Sequence, residues 1–414
     1  MHRVVITGFA VLSATGSDPT RFWEQLASGR SGLGPLTRVR SPLLSTGTVG
    51  EINDFYPEQH FGKEIELLDR FAQFGVVCAR GALAHAGLPR RLDQEGSPYA
   101  PERVAVLTGT GMGGIGTQDQ GFRQMYGEGN HRVHPFLIPR AMYSAASSHI
   151  GMDTGARGPS FTISTACASS THALGEAWRR VRDGSSDMVI AGGSDAPLTF
   201  GVIKAWEAMR VLAPAGDDPS RACRPFSRDR GGLVLAEGAA MFVLESEEGA
   251  ARRGAAVLAE LAGYGASADA GHITQPTLEG PAQAMREAMS TAGLGPEEVD
   301  YINAHGTGTK LNDATEIAAI KAVFGEQAER LSISSTKSMH GHAMGASGAI
   351  ELAATLLALQ HQVVPPTANF TTPDPECDLD VTPNQAKPRP LRAALSNSFA
   401  FGGLNAVLAV RRRN

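Results

Sequence analysis

Short apolar runs typical of buried strands alternate with runs of helical periodicity along this whole chain. Residues 104–107, 188–190 and 239–244 are continuous apolar stretches of strand length. Residues 283–292 and 348–360 have apolar positions three and four apart, which is the spacing of one face of a helix. Such alternation predicts an α/β protein.

The two halves of the chain show one arrangement twice. In the first half, a strand at 161–164 leads into Cys167 and then into a helix of small residues. In the second half, a strand at 331–334 leads into a loop with Lys337 and His342, and a helix follows. We therefore predict a duplicated architecture with reactive groups at the C-terminal ends of parallel strands, where open α/β sheets place their sites.

A polar break at residues 246–254 separates the two halves, which we predict to span 1–250 and 251–414. The first half has Cys167 as its reactive group. The second half has the other three candidate groups: His305, Lys337 and His342.

The bulk composition excludes several classes of function. Hydrophobic residues make up 42% of the 414 residues and charged residues 19%, so a large core is expected and disorder is not. The net charge of −5 gives no overall attraction to nucleic acid or anionic lipid. No apolar stretch approaches the roughly 18 residues of a membrane span, and the short apolar run at the N-terminus predicts an opening strand, not a signal peptide.

Four cysteines are scattered without CxxC spacing, at positions Cys78, Cys167, Cys223 and Cys377. This spacing argues against a structural zinc site and against a disulfide framework. It fits a reducing, cytoplasmic location.

Cys167 has the sequence context of a nucleophile. A helix that begins near Ala168 would place its positive end at the sulfur, lower the pKa of the thiol and favour the thiolate. The small neighbours, such as Ala166 and Ser169, leave room for a substrate. The alternative is a buried structural cysteine.

Three basic side chains in the second half complete the candidate set, and each has an ordinary alternative. His305 lies in a loop rich in Gly and Thr, where a turn histidine could simply bond the backbone. His342 is two residues from His340, so spacing does not decide which of them acts. Lys337 could be a surface lysine. A thiol and imidazoles at strand ends of both halves are nevertheless what nucleophilic thioester chemistry needs.

Two glycine-rich segments each allow two interpretations. Residues 109–114 follow a strand and match G-x-G-x-x-G, which allows either a dinucleotide site or a wall of a substrate tunnel. Residues 399–405 contain a Gly-Gly turn before the last strand. This segment is either a plain hairpin turn or a backbone N–H donor with an aromatic gate.

Through four motifs, the chain resembles the β-ketoacyl-acyl carrier protein synthases of the thiolase superfamily, in particular the elongating type II class. The motifs are Thr-Ala-Cys-Ala-Ser at 165–169, Asn-Ala-His-Gly-Thr at 303–307, Ser-Ser-Thr-Lys-Ser-Met-x-Gly-His at 334–342 and Asn-Ser-Phe-x-Phe-Gly-Gly at 397–403. The resemblance extends over residues 4–410. It implies a thiolase-like fold in which duplicated halves form a layered α-β-α-β-α core.

The motifs also separate this chain from neighbouring classes. Thiolases have a second catalytic cysteine where this chain has Phe401-Gly402-Gly403. Initiating synthases have Asn in place of His342. Chain-length factors lack the active-site cysteine, which this chain has at position 167. The resemblance implies an acyltransferase, a condensing subunit with a Cys–His–His site. The alternatives are a thiolase-like enzyme acting on coenzyme A thioesters and a non-catalytic partner subunit of a ketosynthase.

The resemblance assigns catalytic roles to particular residues. Cys167 would take the acyl group from a carrier-protein thioester, and the N–H groups of Cys167 and Phe401 would form the oxyanion hole. His305 and His342 would donate hydrogen bonds to the thioester carbonyl of malonyl-acyl carrier protein as CO2 leaves. Lys337, paired with Glu316, would set the electrostatics of the site.

Further positions match substrate- and partner-binding residues of the family. The pantetheine arm would contact Thr274, Thr307 and Thr309. Met112 would line the acyl pocket, and Trp206 and Phe399 would flank the gate. The acidic carrier protein would meet Arg132 and Arg210.

The same resemblance implies the setting of the reaction. No metal or redox cofactor is expected, because the thioester and the lost carboxylate supply the driving force. The substrates would be held on the phosphopantetheine of acyl carrier protein. A homodimer is the expected assembly, with a heterodimer with a chain-length factor as the alternative. His340, Leu404 and Met112 depart from common family residues, so a polyketide or polyene pathway stands beside fatty acid synthesis.

Overall fold

Ten strands form one continuous mixed sheet in the computed structural model, which describes residues 1–214 and 216–413. The strands are β1 (Val4–Leu12), β2 (Gly34–Pro35), β3 (Thr48–Val49), β4 (Val104–Gly109), β5 (Ser160–Ile163), β6 (Met188–Asp195), β7 (Gly238–Ser246), β8 (Ala259–Ala268), β9 (Tyr301–Asn303), β10 (Ser332–Ser334), β11 (Val363–Val364), β12 (Lys387–Pro388), β13 (Ala393–Ala400) and β14 (Leu404–Arg411). The short strands β2 and β3 pair with each other, as do β11 and β12.

The α-helices are connected by loops and short 3₁₀ turns. They are α1 (Pro19–Ala27), α2 (Glu58–Phe61), α3 (Arg70–His85), α4 (Ile115–Phe122), α5 (Leu137–Ala141), α6 (Ala145–Thr154), α7 (Ser169–Arg182), α8 (Phe200–Met209), α9 (Glu247–Arg252), α10 (Glu279–Ala292), α11 (Lys310–Phe324), α12 (Lys337–His340) and α13 (Ser347–His361).

The sheet contains the same five-strand pattern twice, which confirms the duplicated architecture. Read from its outer edge, one half runs β5-β4-β6-β7-β1 and the other runs β10-β9-β13-β14-β8. In each half the three strands nearest the edge are parallel. The halves join where β1 pairs antiparallel with β8, with Val5 opposite Glu260 and Ile6 opposite Ala259.

Helices cover the sheet in layers, as predicted. Helix α7 contacts β4 and β6 of its own half and β8 and β14 of the other half, and it also packs against α13. Helix α3 packs on β1 and β7, and α10 packs on β8 and β14. Helix α13 is buried from Ser347 to Leu359, which explains its nearly uninterrupted apolar sequence. The order of layers is therefore α-β-α-β-α.

Strand β13 is missing from the sequence-based prediction. Its sequence, from Ala393 to Ala400, includes Ser396, Asn397 and Ser398, which interrupt the apolar run expected of a central strand. The structure buries all of them, because β13 lies between β9 and β14. The Gly-Gly turn that follows β13 is a hairpin turn, since β13 pairs antiparallel with β14 across it.

All four cysteines are free and buried. Among the described residues, no helix combines the length and the apolar character that a membrane crossing requires.

Gly109, the last residue of β4, provides a test of how the fold positions Cys167. A Cβ at this position would lie 2.3 Å from both Ser169 C and Ser170 N, in the first turn of α7. We predict that Gly109→Ala lowers the free energy of unfolding by about 1–3 kcal/mol, because neither backbone can move away freely. Urea unfolding measures this change.

The matched control is Gly34→Ala, because a Cβ at Gly34 meets nothing within 4 Å. It should leave the free energy of unfolding within about 0.5 kcal/mol of the parent protein. Equal stability of the two variants would contradict the close contact between β4 and α7.

Candidate active site

Cys167 lies at the entrance to α7, where the sequence predicted it. Strand β5 ends at Ile163, and α7 begins at Ser169 with Ala168 as its N-cap. The turn between them holds Ala166 at φ +48°, a left-handed conformation that is uncommon outside glycine. The Cys167 side chain lines a cavity of about 640 Å³, although the residue is only 7% exposed.

His305 and His342 reach the same cavity from the other half of the sheet. His305 follows β9, and His342 follows the short helix α12. A ring nitrogen of each histidine and Sγ of Cys167 all lie within 4.8 Å of one another. The two rings are nearly perpendicular, with centroids 5.6 Å apart. The structure thus brings together the three residues that the sequence singled out.

The hydrogen bonds of His342 determine which of its nitrogens has the hydrogen. The N–H of Met344 donates to Nδ1 of His342 at 3.1 Å, and the hydroxyl of Ser347 lies 3.0 Å from the same nitrogen. Since Nδ1 accepts a hydrogen bond, the hydrogen of the neutral ring is on Nε2. His342 is therefore a donor through Nε2.

His305 is oriented in the same way by Lys337. The ammonium of Lys337 lies 3.3 Å from Nδ1 of His305 and donates to the His305 carbonyl at 2.7 Å. Its third partner is the carboxylate of Glu351, and all three side chains are buried. Nδ1 of His305 accepts, so Nε2 is again the donor.

The predicted pairing of Lys337 with Glu316 is wrong. Lys337 pairs with Glu351 of α13, whereas Glu316 of α11 accepts hydrogen bonds from the N–H groups of His305 and Gly306. Those two amides occupy the carboxylate of Glu316, so it holds the His305 loop and not the lysine. Helix α11 buries Asp313 as well as Glu316, whereas Glu351 is the one acid of α13. The sequence does not show which of these helices packs its acid against Lys337.

Burial and the neighbouring charge keep both imidazoles neutral. The pKa of His305 and the pKa of His342 lie well below the ordinary value of 6.5, first because both rings are buried and second because the charge of Lys337 is close. His340 is also buried, and its pKa falls to about 3, but its nitrogens bond Thr336 and the Gly341 carbonyl. His340 does not line the cavity.

The expected lowering of the Cys167 pKa is also wrong. Burial raises the pKa of the thiol to about 12, although the charge of Lys337 opposes the shift. A helix N-terminus contributes at most about 2 kcal/mol, or roughly 1.5 pKa units. Full burial shifts a pKa by up to about 3–5 units, so burial outweighs the helix. The resting side chain is a thiol.

The hairpin turn after β13 forms one wall of the cavity. Phe401 in this turn stacks on Trp206, with ring centroids 5.8 Å apart, and Phe399 packs against the His305 ring. The backbone N–H groups of Cys167 and Phe401 donate to no other group of the described residues. Both are therefore available to a substrate oxygen.

The remaining predicted contacts fall into two groups. Thr274, Thr307, Thr309 and Arg210 line the cavity. Met112 does not line it and packs instead in a hydrophobic cluster with Leu198, Ile203 and Met344, so its predicted place in the acyl pocket is not observed. Arg132 is exposed on the segment before α5 and also lies outside the cavity lining.

Glu351 and Asp195 were absent from the sequence-based site. Glu351 neutralises Lys337, and Asp195 ends β6 with a fully buried carboxylate. A single acid inside an apolar segment is the one signal in the sequence that marks such residues, because a buried charge requires partners.

The same three donors, Cys167, His305 and His342, are of a type that binds zinc. A zinc ligand nitrogen must offer a lone pair. In this site each Nδ1 accepts a hydrogen bond, so each Nε2 has the hydrogen. The arrangement favours hydrogen-bond donation toward a substrate oxygen over metal binding.

Family models match most of the chain. The model of the β-ketoacyl synthase N-terminal domain matches residues 1–250, and that of the C-terminal domain matches residues 258–371. The chain belongs to the β-ketoacyl synthase family.

Relatives match over nearly their full length. Nodulation protein E of a Rhizobium species is 49% identical over 413 residues, which cover 99% of both chains. The 3-oxoacyl-(acyl-carrier-protein) synthase 2 of Staphylococcus aureus is 42% identical over 413 residues, which cover 99% of this chain and 98% of that protein.

Solved structures match the whole chain as well. The ishigamide ketosynthase/chain length factor is 37% identical with a TM-score of 0.92, and both chains are fully covered. A second match, at 34% identity and a TM-score of 0.91 with full coverage of both chains, is to a chain of a solved complex. That complex is described as a type II polyketide synthase acyl-carrier protein with its ketosynthase bound to the hexaketide.

The partner of Lys337 is open to a direct test. Glu351→Gln should lower the free energy of unfolding by about 3–5 kcal/mol, because it leaves the buried ammonium of Lys337 without its anion. In a double-mutant cycle, Lys337→Met and Glu351→Gln should couple by about 1–3 kcal/mol. Chemical denaturation of the four proteins measures the coupling.

Glu316→Gln is the matched control, since it changes a second buried glutamate of the same site. Its coupling to Lys337→Met should be clearly smaller than that of Glu351→Gln. A larger coupling to Glu316 would restore the pairing that the sequence alone predicts.

The protonation state of Cys167 predicts how alkylation depends on pH. Iodoacetamide reacts with the thiolate, so the rate at Cys167 should still rise about tenfold per pH unit between about pH 7 and pH 9. Peptide mass spectrometry of the labelled protein measures the rate at this cysteine. A plateau near neutral pH would mean a low pKa and would contradict the effect of burial.

Proposed function

We propose that this protein condenses an acyl group held on Cys167 with malonyl-acyl carrier protein, giving β-ketoacyl-acyl carrier protein and CO2. The observation that supports this most strongly is the shared cavity in which a buried thiol faces two neutral Nε2–H donors, His305 and His342. A nucleophile and two donors for one carbonyl oxygen are the groups that a decarboxylative Claisen condensation requires. The named ketosynthase relatives support the same reaction.

The first step loads the enzyme. The sulfur of Cys167 attacks the acyl thioester carbonyl, a new C–S bond forms, and the bond to the pantetheine sulfur breaks. The proton of the thiol ends on the departing pantetheine sulfur, so the exchange needs no net base. The free N–H groups of Cys167 and Phe401 hold the tetrahedral oxyanion, each worth about 3 kcal/mol in such sites.

The second step generates the carbon nucleophile. The malonyl C–C bond to the carboxylate breaks, CO2 leaves, and the electron pair moves onto the thioester as an enolate. His305 and His342 donate through Nε2 to the enolate oxygen. Neutral donors suit this role, because in a dry cavity they stabilise a developing charge without first having to lose or gain a proton.

The third step forms the new carbon–carbon bond. The enolate carbon attacks the acyl carbonyl on Cys167, and the tetrahedral intermediate collapses with Cys167 leaving as a thiolate. The thiolate takes a proton from solvent, because the negative charge of the lost carboxylate ends on this sulfur. Its burial, which raises the pKa of Cys167, favours that reprotonation.

The substrates enter on the phosphopantetheine of acyl carrier protein, and we assign the polar wall of the cavity to that arm. Thr307 and Thr309 bond each other at 2.9 Å and lie with Thr274 along this wall. Arg210 is exposed and lines the cavity, so its positive charge would attract an acidic carrier protein. Arg132 is assigned to the same partner on the basis of the family resemblance. No metal or redox group takes part in the proposed steps.

The acyl chain would come from fatty acid synthesis or from a specialised polyketide or polyene pathway. The apolar wall formed by Trp206, Met209, Val211 and Leu233 is assigned to this chain. Mass spectrometry of the acyl group trapped on Cys167 in cells distinguishes these substrates.

A homodimer is the proposed assembly. Strand β5 forms an edge of the sheet, and large apolar side chains near α4 and α5 are exposed, among them Tyr126, Phe136 and Ile138. A second copy, or a chain-length factor in its place, would cover this region. The halves 1–250 and 251–414 are proposed as its two structural units, and the four free thiols favour a reducing cytoplasm as its location.

Two other functions make different predictions. A thiolase-like enzyme would act on free coenzyme A thioesters without preference for carrier protein. A non-catalytic partner subunit would be inert alone and would matter only beside an active synthase. The cavity with Cys167, His305 and His342 favours the condensing enzyme over both.

Cys167→Ala tests the nucleophile. The variant should show no acyl mass shift after incubation with acyl-carrier protein, because the atom that forms the thioester is gone. Its release of CO2 from malonyl-acyl carrier protein should persist, because His305 and His342 are unchanged. Intact-protein mass spectrometry and CO2 assays measure the two reactions.

Cys78→Ala is the matched control, since Cys78 is a buried free thiol in α3 and outside the cavity. It should be acylated as fully as the parent protein. A mass shift that survives Cys167→Ala would refute the assignment of the nucleophile.

A further inference from the structure

The carboxylate of Asp195 joins two loops that lie next to the active site. Its Oδ1 accepts hydrogen bonds from the Thr110 hydroxyl at 2.5 Å and from the Met112 N–H at 3.1 Å. Its Oδ2 accepts from the Gly111 N–H at 2.8 Å and from the Gly345 N–H at 2.7 Å. Asp195 is fully buried, so these four donors replace its water shell.

This arrangement explains the glycine-rich motif at 109–114. Two of its backbone N–H groups, those of Gly111 and Met112, point at a carboxylate of the protein itself. A loop of this kind can bind a phosphate only through free N–H groups. The motif therefore serves as an internal anion nest for Asp195, and the dinucleotide interpretation is not supported.

The second loop leads directly to His342. Gly345 donates to Asp195, and its neighbour Met344 donates to Nδ1 of His342 at 3.1 Å. Met344 has φ +48°, a left-handed conformation that costs a residue of this type roughly 1–3 kcal/mol. Bonds on both sides hold it there, and the hydrogen bond to His342 keeps the hydrogen of that ring on Nε2.

The first loop touches the Cys167 turn. A Cβ on Gly111 would lie 3.3 Å from Gly345 N and 3.5 Å from the carbonyl of Ala166, which is the residue before the nucleophile. The Gly345 backbone is closer still, because its own Cβ would lie 2.3 Å from Gly111 N. Asp195 thus joins the loop that lies against the Cys167 turn to the loop that follows His342.

We propose that Asp195 is a positioning residue for the condensation: its carboxylate locks the turn after His342 and so aims the Nε2–H of His342 at the malonyl thioester. The inference rests on the proposed function of the site. It assigns to Asp195 no contact with substrate.

A charged carboxylate suits this position better than an amide. Four donors converge on two oxygens, and an asparagine would present its own NH2 group to one pair of them. The negative charge has a second effect, on the sulfur. Burial raises the pKa of the Cys167 thiol most; the charge of Lys337 lowers it, and the charges of Asp195 and Glu351 raise it further.

Asp195→Asn should therefore change two reactions in opposite directions. Release of CO2 from malonyl-acyl carrier protein should fall by about tenfold or more, because the His342 donor is no longer aimed. Alkylation of Cys167 by iodoacetamide at fixed pH should become about threefold faster or more, because a negative charge near the sulfur is gone. A purely structural loosening would also speed alkylation of Cys78, a buried thiol outside the cavity, whereas the proposed effect is confined to Cys167.

Asp187→Asn is the matched control, since Asp187 lies just before β6 and forms a partly exposed ion pair with Arg103. It should leave both rates within about twofold of the parent protein. Equal CO2 release by Asp195→Asn and the parent would overturn the inference, as would alkylation that slows in the Asp195 variant.

A second variant keeps the test decisive if Asp195→Asn does not fold. Thr110→Val removes one donor and no charge, so CO2 release should fall about threefold or more while alkylation stays within about twofold. Unchanged CO2 release in Thr110→Val would count against the inference. A parent protein that releases no CO2 would instead refute the proposed function, and with it the role assigned to Asp195.

Discussion

The buried ion pair between Lys337 and Glu351 is the interaction on which the site depends. Lys337 has three N–H hydrogens and three acceptors: the ring of His305, the carbonyl of His305 and the carboxylate of Glu351. A buried ammonium without such partners would cost several kcal/mol. With them, the charge is neutralised by α13 beneath the site, and the His305 ring is fixed in one tautomer.

Burial then sets the chemistry of the remaining groups in one consistent direction. The same dry surroundings that lower the pKa of both histidines raise that of Cys167, so the resting site holds a thiol and two neutral rings. In the proposed reaction, new charge develops only on a substrate oxygen and, after condensation, on the sulfur. Fixed N–H donors are most effective in this situation, because they need no reorganisation when the charge develops.

The sequence predicted that Cys167, His305 and His342 meet, because each lies in the connection after a parallel strand and such strand ends share one edge. The choice of His342 over His340 came from the family motif and not from the spacing. The sequence did not reveal the partner of Lys337, since that choice depends on how α11 and α13 pack. The raised pKa of Cys167 could not be predicted from the sequence either, because the residues indicate where a helix begins but not how deeply the thiol is buried. Strand β13 was missed because Ser396, Asn397 and Ser398 interrupt its apolar run, and the sequence does not show that neighbouring strands bury all three.

The duplication of the fold explains why such a site is possible at all. Cys167 belongs to the first five-strand unit, whereas His305 and His342 belong to the second. Helices α7 and α13 pack against each other between the units, so the nucleophile at the start of α7 meets the ion pair anchored in α13. A single unit would offer either the sulfur or the donors, and therefore the reaction requires both units to be packed around one helical layer.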